Sequence, residues 1–488
     1  MKRIIVLCCF VVLWKLLLAQ GSSYEAIKKK LNENSIPLVN LVVDTSKVSN
    51  TTYVNGEIQI ADYWRRTESS AIVTRYRCKV RYRGASALIY KKKSFAVKLL
   101  DALGNDLDVS IFGIRSDNNW ILDAMSIDRI RMRNRVCFDI WNEISQTPYD
   151  TKYQRRNGTE GVFVEVFING NYHGLYCMSD KINRKLLGLK KVRVGAGNEA
   201  DIRGLLYKGQ SWLSGHNLLS YEDVDVSKDT WNAWELQYPD DYPSKETWQP
   251  LMDLIDFCSN KTSNDAFLNE YKDFFYSENL VDYALFTFAL NVGDNLYKNT
   301  FLSTVDITDS HRYLITPWDM DMSVGGHWSG KYHNYLVDVH RYDQVAPFNR
   351  LIVYNMDRFD DKLTERWNEL RSNVLSCEHF NGLVDAYAQQ FLESGAWARE
   401  VKAWNNNPVP LDATLNKELA YVKDWYSRNH ESLSQQMQTL LTSVDNCSQP
   451  FTVSPDIYTV AGRKVEVNNV RKLSKGVYII NGRKVMIP

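Results

Sequence analysis

Residues 75–83 alternate without a break. Arg75, Arg77, Lys79, Arg81 and Arg83 take the odd positions, and Tyr76, Cys78, Val80 and Tyr82 take the even ones. Successive side chains of an extended strand point to opposite faces, so a strand here puts five cations on one face and four apolar groups on the other. Gly84-Ala85-Ser86 reads as a turn and Lys91-Lys92-Lys93 follows. Ser94–Leu100 then resumes as a second strand carrying Lys98. Residues 75–98 hold nine cations and no acid. Such a run repels itself unless water or anions neutralise it. It reads either as a solvated edge strand, where charge discourages pairing with another chain, or as an anion-binding face for phosphates. Nucleic acid is the weaker partner, because no nucleic-acid motif accompanies the run.

Other β signals share this half of the chain. Leu38–Val43 follows Pro37 as a short apolar strand, and Asn169-Gly170-Asn171 separates the apolar runs 163–168 and 172–176. An Asn-Gly turn between apolar runs marks a hairpin. From residue 245 the pattern changes. Glu278–Asn291, Leu363–Leu375 and Leu411–Leu441 repeat apolar residues at three and four, which predicts helices. A chain of 488 residues holds two to four units at roughly 150 residues each. The expected layout is α+β: a β-rich part over 38–210, a mainly helical part over 211–445 with an inserted loop near 211–250, and a small β tail over 451–488.

The ends read as addresses. Lys2 and Arg3 precede an apolar run from Ile4 to Trp14, too short to span a bilayer, and Ala19-Gln20-Gly21 offers small residues before a cut at Ser22. Residues 1–21 are therefore expected to be an export signal, with the mature protein secreted or at the cell surface and free of a transmembrane segment. Removing Lys2, Arg3 and Lys15 turns the formal charge of +1 slightly negative. Of the eight cysteines, Cys78, Cys137, Cys177, Cys258, Cys377 and Cys447 remain, too scattered for a zinc site and too few for a disulfide framework. Gly462-Arg463-Lys464-Val465 recurs as Gly482-Arg483-Lys484-Val485. This tail resembles the C-terminal sorting domains of the type IX secretion system, which implies an export address.

The chemistry concentrates downstream. Asp294 and Asn299 form D-x-x-x-x-N after an apolar helix. A strand, a turn at 306–310 and a return strand lead to Pro317-Trp318-Asp319-Met320-Asp321, with Gly325-Gly326 beyond. Protein kinases use this order: a catalytic Asp, a metal-binding Asn, a hairpin, then a metal-binding Asp before Gly. Oxygen ligands suit a hard divalent cation. Asp319 and Asp321 can face one ion only if the backbone between them bends.

Further marks are Arg83-Gly84-Ala85-Ser86, Lys92-Lys93-Ser94-Phe95-Ala96-Val97-Lys98, Asn119-Trp120-Ile121-Leu122, Asp128, Arg133-Asn134 and Asn169–Tyr176. In this order, with Asp294 and the Pro317–Asp321 segment, they resemble the spore-coat CotH kinase-like family over residues 38 to about 435. The resemblance implies an atypical protein-kinase-like two-lobe fold that uses ATP with Mg²⁺ or Mn²⁺ and acts on a protein acceptor. Carried over, Asp294 is the catalytic residue, and Asn299, Asp319 and Asp321 are metal ligands. Lys98, with Lys93 as rival, meets the nucleotide phosphates, and Arg83 faces phosphate. Asp180 stands where the family has Glu, near adenine-side or lobe-linking contacts. The loop at 84–90 has a single Gly, so a phosphate cradle there relies on cations more than on backbone amides.

Neighbouring residues have plainer readings. His327, His333 and His340 match no zinc spacing. Trp212, Trp231, Trp234 and Trp248 read as packing rather than sugar platforms, and Arg129, Arg131, Arg133 and Arg135 read as ion-pair partners for the helical half. A second function fits the same fold: a catalytically silent surface-binding or assembly protein, since ATP is scarce outside cells.

Overall fold

The computed structural model describes residues 23–67, 70–195, 200–211, 216–296, 298–339, 345–444, 457–460, 462–465, 475–480 and 483–487. The expected export signal lies outside these residues, as do Trp212, His340, Cys447 and much of the C-terminal tail. Among the described residues, no helix is long and apolar enough to cross a membrane.

Seven strands form a closed barrel: β1 (Leu38–Val43), β2 (Val54–Thr67), β3 (Ser70–Arg83), β4 (Ser94–Leu100), β5 (Asn119–Asp123), β6 (Gly161–Ile168) and β7 (Asn171–Asp180). Their order is β1-β2-β3-β4-β5-β7-β6. Parallel pairing of β1 with β6, Leu38 opposite Glu165, closes the ring. The β6–β7 turn uses Asn169 and Gly170, both at positive φ, as a tight hairpin of matching twist requires. The Asn169 side chain also bonds both backbone groups of Val43, at 3.0 and 2.9 Å, which ties the hairpin to β1.

The alternation in β3 is realised. Cys78 and Val80 lie in the barrel interior with Val39, Leu41, Phe95, Trp120 and Met178, while the odd-numbered cations point outward. The edge-strand reading fails, because β3 pairs with β2 on one side and β4 on the other, and a paired strand has no edge to protect.

After β8 (Arg193–Val194) and β9 (Ala200–Asp201), a second sheet runs β11-β12-β10-β13-β14. Its strands are β10 (Leu205–Gly209), β11 (Thr230–Trp231), β12 (Trp234–Tyr238), β13 (Thr300–Thr304) and β14 (Leu314–Pro317). The stretch read as an inserted loop therefore contributes two strands, and Trp231, Trp234 and Trp248 are buried in packing. Helices fill the remainder. Ser277–Leu290 is buried at every residue from Asn279 onward, as expected of a central helix. Its core is continuous with outward-facing barrel residues Ile121, Phe163, Leu175 and Cys177. Strands β15 (Ile457–Thr459), β16 (Gly476–Ile480) and β17 (Arg483–Ile487) form a small antiparallel sheet. Cys78, Cys137, Cys177, Cys258 and Cys377 are free thiols, all but Cys377 buried.

One helix, Ala396–Trp404, fastens the barrel to the helical part. Arg399 makes a bidentate pair with Glu165, at 2.7 Å for each bond. Glu400, fully buried, accepts from Lys92 Nζ at 2.7 Å, Arg131 Nε at 2.8 Å and the Leu175 amide at 2.8 Å. Lys92 also donates to the carbonyls of Ala124 (3.0 Å) and Leu175 (2.6 Å), so all three ammonium hydrogens are placed. Arg129 reaches Glu418 at 3.6 Å. Two of the four clustered arginines thus bridge to the helical half, while Arg133 and Arg135 pair locally with Asp128 and Asp139.

Candidate functional site

The central helix ends at Asn291, whose left-handed conformation turns the chain into a short 3₁₀ turn, Gly293–Leu296, bearing Asp294. Asp294 Oδ2 accepts from Lys298 Nζ at 2.8 Å and from Asn299 Nδ2 at 3.4 Å. The Asn295 side chain fixes the loop by donating to the carbonyls of Asn299 (2.7 Å) and Trp318 (2.9 Å), and the Trp318 amide donates to the Asn299 carbonyl at 2.8 Å. The D-x-x-x-x-N segment is thereby zipped to the end of β14.

The bend that Asp319 and Asp321 need is present. Asp319 has φ of 58°, a left-handed conformation that Asp tolerates better than most residues. The next amide, Met320, donates to Asn134 Oδ1 at 3.0 Å, and Asn134 Nδ2 donates to Asp123 Oδ2 at 3.1 Å. Asn134 is placed by the start of its helix, where Asp128 accepts from the amides of Met132 and Arg133, both at 2.8 Å. The Arg133-Asn134 mark thus supports the W-D-x-D loop directly.

Four acids share one field: Asp123, Asp294, Asp319 and Asp321. Burial and then the Asp123 charge raise the Asp319 pKa, with Asp294 adding and with Arg83 and Lys208 opposing. Asp319 itself remains open to solvent, so the protein mass around it desolvates the carboxylate without covering it. Asp321 is raised further, by burial and then by Asp319, Asp123, Asp128 and Asp294. Among the described residues, no three His, Cys, Asp or Glu side chains are arranged to hold a metal ion as they stand.

Arg83 and Lys208 face this acidic group, and Lys181 lies beside them. Arg83, at the end of β3, stacks over Trp318 at 5.4 Å. Lys208, on β10, lies opposite Phe301 of β13 and Glu235 of β12, next to Gly209, whose carbonyl accepts from the Asn299 amide at 2.9 Å. Lys181 follows β7. Burial, reinforced by Arg83 and Lys208 and opposed by Glu235 and Asp240, pulls its pKa down to about 8. Burial lowers Lys208 as well. Among the described residues, none of the three forms an ion pair with a carboxylate.

The other expected ligand-binding residues make local contacts. Lys93 donates to the Leu88 carbonyl of the preceding loop. Lys98 lies on the outer barrel face, over the Tyr53 ring at 5.4 Å. Asp180 is fully buried: it bonds Arg115, accepts from Arg156 at 2.6 Å and caps the Glu160 amide at 2.9 Å. His327 bonds Ser329 at 2.8 Å and His333 contacts Asn291 at 3.1 Å, local roles that need no metal. Sequence reasoning missed Asp123, Lys181 and Lys208. Asp123 closes β5, Lys208 is the next-to-last residue of β10 and Lys181 follows Asp180 at the end of β7, so a charge at an apolar strand's end was the faint signal available for finding them.

No curated protein matches the chain. Residues 80–433 match the family described as CotH kinase protein. That span is most of the sequence and includes every acid and cation of the site just described, so the chain belongs to the CotH kinase family.

Proposed function

We propose that the acidic centre is the active site of an ATP-dependent phosphotransferase, in which the barrel and the sheet-and-helix part act as the two lobes of a kinase-like fold. The observation that carries this reading is the meeting of Asp294, Asn299 and the Asp319–Asp321 bend with Arg83 and Lys208, which act on Asp319 and have Lys181 beside them. Asp294 Oδ2 is committed to Lys298 and Asn299, which leaves Oδ1 to orient an acceptor hydroxyl and take its proton. Asp319 and Asp321 offer carboxylate oxygens and Asn299 its Oδ1, while its amide nitrogen is held by Asp294; oxygen is the ligand a hard divalent cation prefers. A bound Mg²⁺ or Mn²⁺ would supply charge neutralisation on the polyphosphate. Arg83, Lys181 and Lys208 would neutralise the remaining phosphate charge, with Lys93 and Lys98 on the adjoining β4 region. As the acceptor oxygen forms its bond to the γ-phosphorus, the bond to ADP breaks and the hydroxyl proton passes to Asp294. The acceptor is a protein hydroxyl. Residues 1–21 export the chain, and the C-terminal sheet belongs to an export address.

Titration calorimetry tests the nucleotide half of this reading. Wild type should bind ATP in the presence of Mg²⁺ or Mn²⁺, and Asp319→Ala should not. Flat heats from folded wild type with either metal would instead favour a surface-binding protein on the same fold.

A further inference from the structure

The outward cations of β3 have no structural explanation so far. The strand is paired on both sides, so they guard no edge. Of these cations, Arg75 alone forms an ion pair among the described residues, with Glu57 at 3.0 Å, and Glu57 also stands opposite Arg77 in the register. Arg77 donates to the Ala102 carbonyl at 2.6 Å and Arg81 to the Asn50 carbonyl at 3.2 Å, contacts that satisfy geometry and leave the charge in place. Lys79 has neither a hydrogen bond nor an ion pair among the described residues. Register adds to the repulsion, because Lys79 lies directly opposite Lys98 on β4. Like charges at that spacing destabilise a sheet. Arg81 and Lys98 also share the Tyr53 ring, at 4.9 and 5.4 Å. The row ends at Arg83, beside Trp318 and Asp319.

We infer that this face, from Arg83 through Arg81 and Lys79 to Arg77, is a docking track for an acidic segment of the acceptor protein. The inference rests on the phosphotransferase reading for the acceptor's role, but the track itself is a binding surface. Same-face residues of a strand recur about every 6.6–6.8 Å, and an extended peptide repeats its alternate side chains at the same spacing. A peptide with acids at alternate positions therefore matches the cations one to one while its hydroxyl reaches the acidic centre. A nucleic acid strand fits less well. Its unbroken charge would run on into four carboxylates, and the rings that meet these cations are already covered where base stacking would need them free, Tyr53 by Arg81 and Lys98 and Trp318 by Arg83.

The test uses the full chain and fluorescence anisotropy. The probes are a labelled peptide with one Ser followed by alternating Glu, its Gln counterpart, and a single-stranded oligonucleotide of equal charge. The Glu peptide should bind at least about tenfold tighter than the Gln peptide, weaken as salt rises, and lose about tenfold in the double variant Arg77→Glu/Lys79→Glu. If that variant does not fold, Arg77→Gln/Lys79→Met should lose about threefold. Equal binding of the two peptides, no binding of either, no effect of the variants, or tighter oligonucleotide binding with the same dependence on Arg77 and Lys79 would each overturn the inference. ATP titrations on the same preparations separate the two claims. Loss of ATP binding in wild type counts against the phosphotransferase reading, whereas the track is judged by the peptides alone.

Discussion

Replacing Glu400 by Gln probes how the barrel is held against the helical part. The wild-type carboxylate is fully buried and accepts three hydrogen bonds, from Lys92, Arg131 and the Leu175 amide. The glutamine side chain keeps the shape and removes the charge, leaving two buried cations without their shared anion. Burial already pulls the Lys92 pKa down to about 7 against the favourable pull of Glu400, so the ammonium depends on that carboxylate. Breaking a buried pair by removing one partner costs about 3–5 kcal/mol. That is a large share of the roughly 5–15 kcal/mol that holds a folded domain. Urea unfolding of Glu400→Gln should show a midpoint shift of that size. Adding Lys92→Met should restore part of the loss by removing one orphaned cation, with a coupling of about 0.5–3 kcal/mol. A loss under about 1 kcal/mol for Glu400→Gln, at unchanged slope, would refute the argument that the ionic cluster fastens the two parts.

Other consequences follow from the site. Lys181 must be protonated to meet phosphate, and its pKa near 8 means that ATP affinity should hold below pH 8 and fall as pH rises above it; a flat calorimetric profile from pH 7 to 9.5 would exclude a phosphate role for Lys181. Asn134→Ala removes the link between Asp123 and the Met320 amide. It should weaken metal-dependent ATP binding by about 10–100-fold without unfolding the protein, as losses of supporting contacts around a metal site do. An unchanged affinity would mean that the Asp319 bend holds without Asn134.

What could be read from the sequence was local. The β3 alternation has period two, and its inward and outward sets fell on the expected faces. The order of Asp294, Asn299 and Asp319 follows chain spacing, and backbone hydrogen bonds bring those segments together. Closure of the barrel was not legible, because it depends on Leu38 pairing with Glu165 across more than a hundred residues. Asp123, Lys181 and Lys208 were hidden for the same reason: each sits at the end of a different strand, and the two sheets bring Asp123 and Lys208 to Asp319 and Lys181 to Lys208. Lys92 lay in a run read as a solvated edge or an anion-binding face, yet the bend before β4 turns it inward to Glu400. Asp180 matched a family position by charge, but Arg115 and Arg156 take up its oxygens.

The central claim is that Asp294 handles the acceptor hydroxyl while Asp319 serves the metal-bound nucleotide. The direct measurement is phosphoryl transfer from labelled ATP to protein by wild type and by Asp294→Ala, with ATP binding recorded on the same samples. The account predicts that Asp294→Ala binds ATP like wild type and that transfer is lost. Equal transfer by both proteins would contradict it.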